Sequence, residues 1–327
     1  MKILFLNPMN DYWVDLIEKM RDDYPEHEFV IRDKSLCSED LADSEGIVAS
    51  SLTDKDLNLC KNLKIVFIHY AGANLFPLPE LKKRGIAVSN VHSNAPYVAE
   101  HCLRMILVLL GKTIEFHTDL SSNIWHGWAS GNGASDSWST LYNRKVSILG
   151  TGSIGTFLAG HLSLFDCSIT GFRKHPGKEA SPDFSRITSD FDSALDMSEI
   201  IINTLPMTSE TCDLINEKNI RLLSGRYFIN AGRAEIINEK LLFTSLKEGL
   251  LKGAALDVWY NYPGEKNINA SPADYPFGSL KNVVLSPHVA GFNPETVKKS
   301  AEDTIANIKS YLENRKPVFT VNHDDGY

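Results

Sequence analysis

The chain has 327 residues, of which 43% are hydrophobic and 23% are charged, and its formal net charge is -8. This is more chain than one hydrophobic core usually serves, so one or two domains are expected. No segment has the roughly 20 uncharged apolar residues that span a bilayer, and the acidic balance gives no electrostatic reason to bind a polyanion. We therefore exclude a membrane protein and expect no nucleic-acid partner.

The start of the chain is a single lysine and a short apolar run that Pro8 closes. This pattern is typical of a first β-strand and not of a signal peptide. The five cysteines are widely spaced and form no CxxC pair, so neither a disulfide framework nor a zinc site is indicated. The sequence therefore predicts no metal and a reducing, cytoplasmic compartment.

The first 90 residues alternate short apolar runs with amphipathic stretches. The pattern predicts a helix over 11–21 and a parallel α/β layer. Its predicted strands are residues 2–6, 46–49, 65–68 and 86–89. The stretch 98–110 is apolar on nearly every face and predicts a buried helix.

Residues 121–143 place Trp125, Trp128 and Trp138 among serines, glycines and asparagines. We interpret this segment as a long loop or arm. It could be a solvent loop that happens to carry tryptophans, but exposing three of them is costly. A contact with another copy of the chain, or a lid, is therefore favoured.

A second series of short apolar runs predicts a doubly wound parallel sheet. Its predicted strands are residues 146–149, 168–172, 200–204, 227–230, 254–258 and 283–285. From Pro294 onward, apolar residues at helical spacing predict an amphipathic closing helix.

The first strand of this series is followed by G-x-G-x-x-G and a predicted helix over 156–164. Gly150 would make the tight turn, Gly152 would let the backbone approach a pyrophosphate, and Gly155 would let strand and helix pack closely. The motif alone could be a glycine-rich turn without a ligand. Its position between a strand and a helix favours a dinucleotide site.

The next strand ends in Gly-Phe followed by Arg173, Lys174 and His175. A site for NAD usually has an acidic residue here to hold the ribose 2′-hydroxyl, and none is present. A cationic cluster would instead bind a 2′-phosphate, with arginine making two hydrogen bonds to it. NADP(H) is therefore the preferred cofactor, and NAD stays possible. The alternative is that the cluster is a solvated basic loop that binds no cofactor.

Five further motifs give the chain a family resemblance over nearly its whole length. They are Phe-Ile-Asn-Ala-Gly-Arg at 228–233, Ala-Leu-Asp-Val at 255–258, Leu-Ser-Pro-His-Val-Ala-Gly at 285–291, Tyr-Ala-Gly-Ala-Asn at 70–74 and Asn-Ala-Pro-Tyr-Val-Ala-Glu-His at 94–101. Together they resemble the D-isomer-specific 2-hydroxyacid dehydrogenases. The resemblance implies two Rossmann-like or flavodoxin-like α/β domains. The dinucleotide-binding domain, 95–291, would be inserted in a substrate domain made of 1–94 and 292–327.

The chemistry of such a reaction suits two residues of these motifs. A 2-oxo acid needs a planar cation for its carboxylate and carbonyl oxygen, which Arg233 supplies. The alkoxide left by hydride transfer needs a proton from a group that titrates near neutrality, which His288 supplies. Taken singly, such an arginine is more often a surface ion pair and such a histidine structural. Their order behind the glycine motif favours catalysis, and the other nine histidines are interpreted as structural.

The resemblance implies roles for further residues. Backbone amides around Ala71, Gly72 and Ala73, with Asn94, would complete the substrate carboxylate site, and Asp257 and Ala231 would meet the nicotinamide carboxamide. The other implied cofactor contacts are Ser153, Ile154, Pro206, Thr211 and Gly291.

Tyr262 is a departure from the family pattern. The family normally has a glutamate there, five residues after the aspartate of the Leu-Asp-Val motif, paired with the catalytic histidine. A phenol can orient His288 by a hydrogen bond but cannot stabilise its charged form as a carboxylate would. We therefore expect carbonyl reduction to fall away at lower pH than in relatives with glutamate, unless Glu265 reaches His288.

Three functions are compatible with these motifs. The leading one is reduction of a small 2-oxo acid such as glyoxylate or hydroxypyruvate by a homodimer. The second is a nucleotide-sensing binding protein with weak or no catalysis, although a sensor has no need of both Arg233 and His288. The third is a formate-dehydrogenase-like enzyme, a branch in which the residue at the Tyr262 position is also neutral.

Overall fold

The computed structural model describes residues 1–6, 10–32, 38–175, 181–264 and 267–326. The chain folds into two compact units. The discontinuous unit comprises residues 1–94 and 292–327, and the central unit comprises residues 95–291. Within the described ranges, no helix is both long and apolar enough to cross a membrane.

The strands and helices alternate along the chain, as expected for an α/β protein. The strands are β1 (Lys2–Phe5), β2 (Glu28–Ile31), β3 (Gly46–Val48), β4 (Ile65–Phe67), β5 (Ala87–Ser89), β6 (Lys145–Leu149), β7 (Ser168–Phe172), β8 (Arg186–Thr188), β9 (Ile200–Asn203), β10 (Tyr227–Asn230), β11 (Gly253–Leu256) and β12 (Val283–Leu285). The helices are α1 (Asp11–Asp23), α2 (Ser38–Asp43), α3 (Asp54–Leu59), α4 (Leu78–Lys83), α5 (Ala95–Leu110), α6 (Thr113–Ser121), α7 (Ser153–Ser163), α8 (Phe191–Leu195), α9 (Glu239–Lys247) and α10 (Pro294–Asn314).

The sheet of the discontinuous unit is parallel, with the strand order β2-β1-β3-β4-β5. Its strands are almost entirely buried, as in parallel sheets covered on both faces. Helix α10 begins with Pro294 in its first turn, and the side chain of Asn293 accepts a hydrogen bond from the Thr296 amide at 2.7 Å. Its buried face, which includes Ile305 and Ile308, packs into the same apolar cluster as Ile3 of β1.

The sheet of the central unit is also parallel, with the order β12-β11-β10-β9-β6-β7-β8. Helices α5 and α7 contribute to one apolar cluster, and helix α9 contributes to another. The strand order reverses at β6, where ligands usually bind in doubly wound sheets. The predicted fold class, two doubly wound α/β domains, is confirmed.

The sequence-based prediction missed two strands. Strand β2 has four residues and β8 has three, with a single isoleucine among the three. Both are edge strands, whose place in the sheet is decided by pairing with a single neighbour. The prediction of six strands for the second sheet was therefore wrong, because the described part of this sheet has seven. The predicted loop 121–143 also contains two short 3₁₀ helices, Gly127–Ser130 and Gly133–Asp136.

Candidate active site

The predicted site residues of the central unit follow the carboxyl ends of neighbouring strands. Because the strands are parallel, these ends lie along the same edge of the sheet. From β7 to β12 across the sheet, the residues are Arg173 after β7, Gly150 after β6, Pro206 after β9, Ala231 and Arg233 after β10, Asp257 after β11 and His288 after β12.

The glycine loop after β6 has the geometry of a phosphate site. Gly150 lies at φ 105°, and a Cβ atom there would come within 2.7 Å of the Thr204 hydroxyl oxygen. A Cβ on Gly155 would collide with the Gly150 carbonyl oxygen, so helix and strand require glycine here. A Cβ on Gly152, in contrast, would meet no atom within 4 Å, which leaves room for a ligand.

Helix α7 begins directly after this loop. Gly152 is its N-cap residue, and no side chain of the described chain caps it. The first amide groups of a helix have no partner within the helix and attract anions, and here Ser153 and Ile154 provide them. The open space at Gly152 and the uncapped helix therefore fit the pyrophosphate of a dinucleotide.

The three residues of the basic cluster after β7 differ in burial and in partners. The backbone amide of Arg173 donates to the Thr188 carbonyl at 3.1 Å, and the residue is half-buried. The Lys174 ammonium lies 2.8 Å from the carboxylate of Glu210, which belongs to the segment after β9, while His175 is exposed. A 2′-phosphate at this cluster would therefore compete with Glu210 for Lys174.

The segment after β9 folds back on itself at Pro206. The Thr211 hydroxyl donates to the Pro206 carbonyl oxygen at 2.6 Å and accepts from the Thr208 amide at 2.8 Å. Thr211 therefore shapes this turn. Its predicted contact with the cofactor stays a prediction.

Two buried asparagines shape the turn that carries Arg233. The Asn203 side chain donates to that of Asn230 at 2.8 Å, and Asn230 in turn donates to the Arg233 carbonyl at 3.0 Å. A Cβ on Gly232 would lie 2.6 Å from the Asn203 side chain, so this turn also requires glycine. The Arg233 backbone is thereby fixed, and Ala231 lies buried beside it.

Asp257 is only 1% exposed and accepts several hydrogen bonds. The Ser286 hydroxyl and the Val289 amide donate to its Oδ1 at 2.5 and 3.0 Å, and the Ala290 amide donates to its Oδ2 at 3.1 Å. Burial alone would raise the pKa of Asp257, but hydrogen bonds from His101, Ser286 and Ala290 outweigh it and lower that pKa to about 2. Asp257 is therefore ionised at neutral pH, and its hydrogen bonds hold the loop that carries His288. The predicted contact with nicotinamide stays a prediction.

His288 has a left-handed backbone, with φ 57°. This conformation is uncommon for residues other than glycine, and such conformations cluster at functional sites. The Tyr262 ring lies 5.3 Å from the His288 ring, centre to centre, and the planes are tilted by 54°. The Tyr262 hydroxyl accepts from the Trp259 amide at 3.1 Å, and in the described structure no hydrogen bond joins it to His288.

The surroundings of His288 disfavour its charged form. Desolvation by the neighbouring side chains lowers the pKa of His288 below its ordinary value of 6.5, and the nearby positive charge of Arg233 lowers it further. The carboxylate of Asp257 opposes both effects. Desolvation also raises the pKa of the Tyr262 phenol, which is therefore neutral. Glu265, the carboxylate that we considered as a partner of His288, lies outside the described residues.

The predicted substrate residues of the discontinuous unit also follow adjacent strands at their carboxyl ends. Ala71, Gly72 and Ala73 follow β4, and the Asn90 side chain donates to the Ala71 carbonyl at 2.7 Å. Asn94 follows β5, and its buried side-chain oxygen has no hydrogen-bond partner in the described structure. An orphaned buried acceptor is costly, which is consistent with a donor on a bound ligand.

The tryptophan arm, residues 121–143, exposes its aromatic rings. Trp128 is 93% exposed, Trp125 61% and Trp138 62%, and all three line one groove with Phe116. His126 holds the arm: its two ring nitrogens lie 2.9 Å from carboxylate oxygens of Asp119 and Asp136. These hydrogen bonds raise the pKa of His126.

Four polar residues that support the site were not predicted from the sequence. They are Asn203, Asn230, His101 and Ser286, and all four are buried. The two asparagines could have been noticed, since each ends an otherwise apolar strand. His101 is among the nine histidines interpreted as structural, although it ends the motif at 94–101, and that motif was the available signal.

Comparison with known proteins establishes the family. Residues 103–290 match the model described as "D-isomer specific 2-hydroxyacid dehydrogenase, NAD binding domain". The chain belongs to the D-isomer specific 2-hydroxyacid dehydrogenase family. This confirms the resemblance and makes the protein an NAD(P)-dependent oxidoreductase, with a dinucleotide-binding domain in the central unit.

Similar proteins cover nearly the whole chain. A glyoxylate/hydroxypyruvate reductase of Arabidopsis thaliana is 30% identical over 275 residues, which are 84% of this chain and 80% of the relative. A glyoxylate reductase of Thermofilum pendens is 29% identical over 309 residues, 88% of this chain and 87% of the relative. A solved structure of a Pyrococcus horikoshii protein is 26% identical, with a TM-score of 0.84 over 99% of this chain and 96% of that one.

Proposed function

We propose that this member of the family reduces a small 2-oxo acid, such as glyoxylate or hydroxypyruvate, with NADPH. The observation that carries the proposal is the arrangement after three adjacent parallel strands. Arg233 follows β10, Asp257 follows β11 and His288 follows β12, so a carboxylate-binding cation and a proton donor flank one buried anion. The names of the two relatives support glyoxylate and hydroxypyruvate as the substrate class.

Arg233 would bind the substrate. Its guanidinium can donate two hydrogen bonds, so it can hold the carboxylate and also polarise the neighbouring carbonyl oxygen. The turn fixed by Asn203 and Asn230 supports this role, because their hydrogen bonds hold the Arg233 backbone in place. Amides near Ala71 to Ala73 would complete the carboxylate site.

His288 would donate the proton. A bound nicotinamide dinucleotide supplies the hydride, and negative charge then develops on the substrate oxygen. The protonated imidazole of His288 donates a proton to that oxygen, and Asp257 stabilises the imidazolium electrostatically. Tyr262 packs against the imidazole ring and limits its rotation.

NADPH is proposed over NADH because of the cluster at the end of β7. Arg173 and Lys174 stand where an NAD site usually has an acidic residue. The Lys174 pair with Glu210 is exposed, with Glu210 63% exposed at its side chain, so a phosphate could displace that carboxylate at little energetic cost.

A kinetic panel tests the function. The purified protein is assayed with glyoxylate, hydroxypyruvate, pyruvate and bulkier 2-oxo acids, each with NADPH and NADH, and with formate and NAD or NADP. We expect reduction of at least one small 2-oxo acid with NADPH. Tight dinucleotide binding without turnover of any substrate would instead identify a binding protein, and formate oxidation alone would identify a formate dehydrogenase.

The variant Arg233→Lys tests the mechanism in the same assay. Lysine keeps the charge but cannot make the planar pair of hydrogen bonds, so kcat/KM for the 2-oxo acid should fall about a hundredfold or more. Dinucleotide affinity, measured by calorimetry, should stay unchanged. Equal rates for variant and wild type would remove Arg233 from the mechanism.

We also propose that the protein works as a homodimer that buries the tryptophan arm. Aromatic residues are enriched in protein interfaces, and large exposed apolar patches usually mark them. The exposure of Trp125, Trp128 and Trp138 around one groove supports this proposal.

A further inference from the structure

His101 is buried beside Asp257 and Ser286 without being one of the predicted site residues. It lies on α5 and is 7% exposed. Its Nε2 atom is 3.0 Å from the Ser286 hydroxyl oxygen and 3.3 Å from Oδ1 of Asp257. Nothing in the apolar packing of α5 requires an imidazole at this position.

The neighbour on its other side fixes the tautomer of the ring. The guanidinium of Arg104 is hydrogen-bonded to Nδ1 of His101. Because a guanidinium can only donate, Nδ1 must accept, and the ring proton is on Nε2. Nε2 therefore donates to the Ser286 hydroxyl, which in turn donates to Asp257 at 2.5 Å.

This directed series of hydrogen bonds ends on the loop that carries His288. Asp257 accepts from the amides of Val289 and Ala290, just after His288 in the chain. Ser286 lies two residues before His288, and its carbonyl oxygen accepts from the Trp259 indole at 2.8 Å. The backbone is thus held on both sides of a residue in the left-handed conformation.

Removing His101 would weaken the hydrogen bonds that position Ser286 and Asp257. The Ser286 oxygen would lose its donor, and the serine side chain could rotate away from Asp257. Asp257 would then lose one of the contacts that set its rotation, and with it the alignment toward two amides. Buried polar groups left without partners drive rearrangement, because water does not replace the lost hydrogen bond.

We propose that His101 is a positioning residue for the proposed reaction: through Ser286 and Asp257 it holds residues 286–290 so that the His288 imidazole keeps the orientation needed for proton donation. The inference rests on the proposed function, because the His288 imidazole needs this orientation in order to donate a proton in that reaction. The positioning itself is a property of the protein without substrate.

Three variants test the proposal. His101→Leu keeps the volume and removes the donor, and His101→Gln restores an N–H donor near the Nε2 position. Ser286→Ala removes the middle of the series. We expect kcat to fall about tenfold to a hundredfold in His101→Leu and Ser286→Ala, with KM changed less than about threefold, because a misplaced proton donor slows the chemical step. His101→Gln should recover most of kcat.

A measurement without substrate separates positioning from activity. In protein labelled with ¹³C-histidine, and with the His288 signal assigned by its loss in His288→Asn, we expect one sharp imidazole signal in the wild type. His101→Leu and Ser286→Ala should broaden or split it. The control His117→Leu makes the same chemical change at an exposed site on α6 and should leave both kcat and the signal unchanged.

An unchanged His288 signal in His101→Leu would overturn the proposal, as would equal impairment of His101→Gln and His101→Leu. A lower melting temperature with unchanged kcat per folded molecule would show a merely structural role and also overturn it. If His101→Leu does not fold, His101→Gln and Ser286→Ala give the same decision. If no 2-oxo acid is reduced by the wild type, the proposed function fails while the signal still decides the positioning.

Discussion

The tyrosine at position 262 defines how the proposed proton donor titrates. Its ring lies against His288 but brings no negative charge, and its hydroxyl is held by the Trp259 amide. Desolvation lowers the pKa of His288 and the charge of Arg233 lowers it further, while the carboxylate of Asp257 opposes both effects. The protonated donor is therefore lost as pH rises through a value below 6.5. Reduction should weaken from mildly acidic pH upward, and oxidation of the hydroxy acid should strengthen.

The variant Tyr262→Glu tests this argument. A carboxylate close to the His288 ring would favour the charged form and raise the pKa of His288. The pH profile of kcat/KM for reduction should then extend to higher pH. Tyr262→Phe, which removes only the hydroxyl bonded to Trp259, should leave the profile in place. A wild-type profile that already extends well above about 7 would mean that a carboxylate reaches His288.

The cofactor preference can be tested at the end of β7. Arg173→Asp should lower the ratio of kcat/KM for NADPH over NADH by about tenfold to a hundredfold, because it replaces a charged hydrogen-bond donor with a repelling charge. Glu210→Gln releases Lys174 and should raise NADPH affinity about two- to threefold, as expected for an exposed ion pair. An unchanged ratio in Arg173→Asp would reject the 2′-phosphate assignment.

The residues predicted from the sequence and those that were missed differ in kind. Gly150, Gly152 and Gly155 lie in a spaced motif whose geometry dictates the residue type, and family motifs pointed to Arg233 and His288. Asn203 is a single polar residue in an apolar strand, and the motif that ends on His101 does not indicate which residues His101 contacts. Their role depends on partners far away in the chain, such as Ser286 for His101, and no local pattern encodes such a pairing.

At the scale of elements, the hydrophobic pattern was sufficient to predict the boundaries of three strands. Strands β7, β10 and β12 have the predicted boundaries, since each is a compact apolar run between turns. Strands β2 and β8 are edge strands of their sheets, and their membership depends on pairing with β1 and β7 respectively. Pairing of this kind is a tertiary property that the local sequence does not reveal.

The tryptophan arm is held by hydrogen bonds between His126 and two aspartates and not by a hydrophobic core of its own. Phe116 stacks on the His126 ring at 4.6 Å, and the two aspartates hold its nitrogens. Since folding raises the pKa of His126, this contribution to stability is complete at mildly acidic pH, where both aspartates are ionised, and is lost as pH rises through the raised value. An arm fixed in this way can present its rings to a partner without burying them in its own unit.

At the scale of the whole molecule, the exposed arm predicts self-association. Trp128→Asp places a charge in the centre of the proposed interface and should convert a dimer into a monomer, as measured by analytical ultracentrifugation. Leu164→Asp is the matched control, because Leu164 is 82% exposed in the central unit but does not line the groove. A wild-type protein that is monomeric at micromolar concentration would contradict the dimer.

The division of the chain has a consequence for the order in which it folds. A ribosome releases residues 95–291 before α10 has been made, so the central unit can complete its sheet first. The discontinuous unit must wait, because Ile305 and Ile308 of α10 fill the cluster around Ile3 of β1. Until then the first strands expose an apolar face to the cell, and that nascent intermediate is where a chaperone would be most needed.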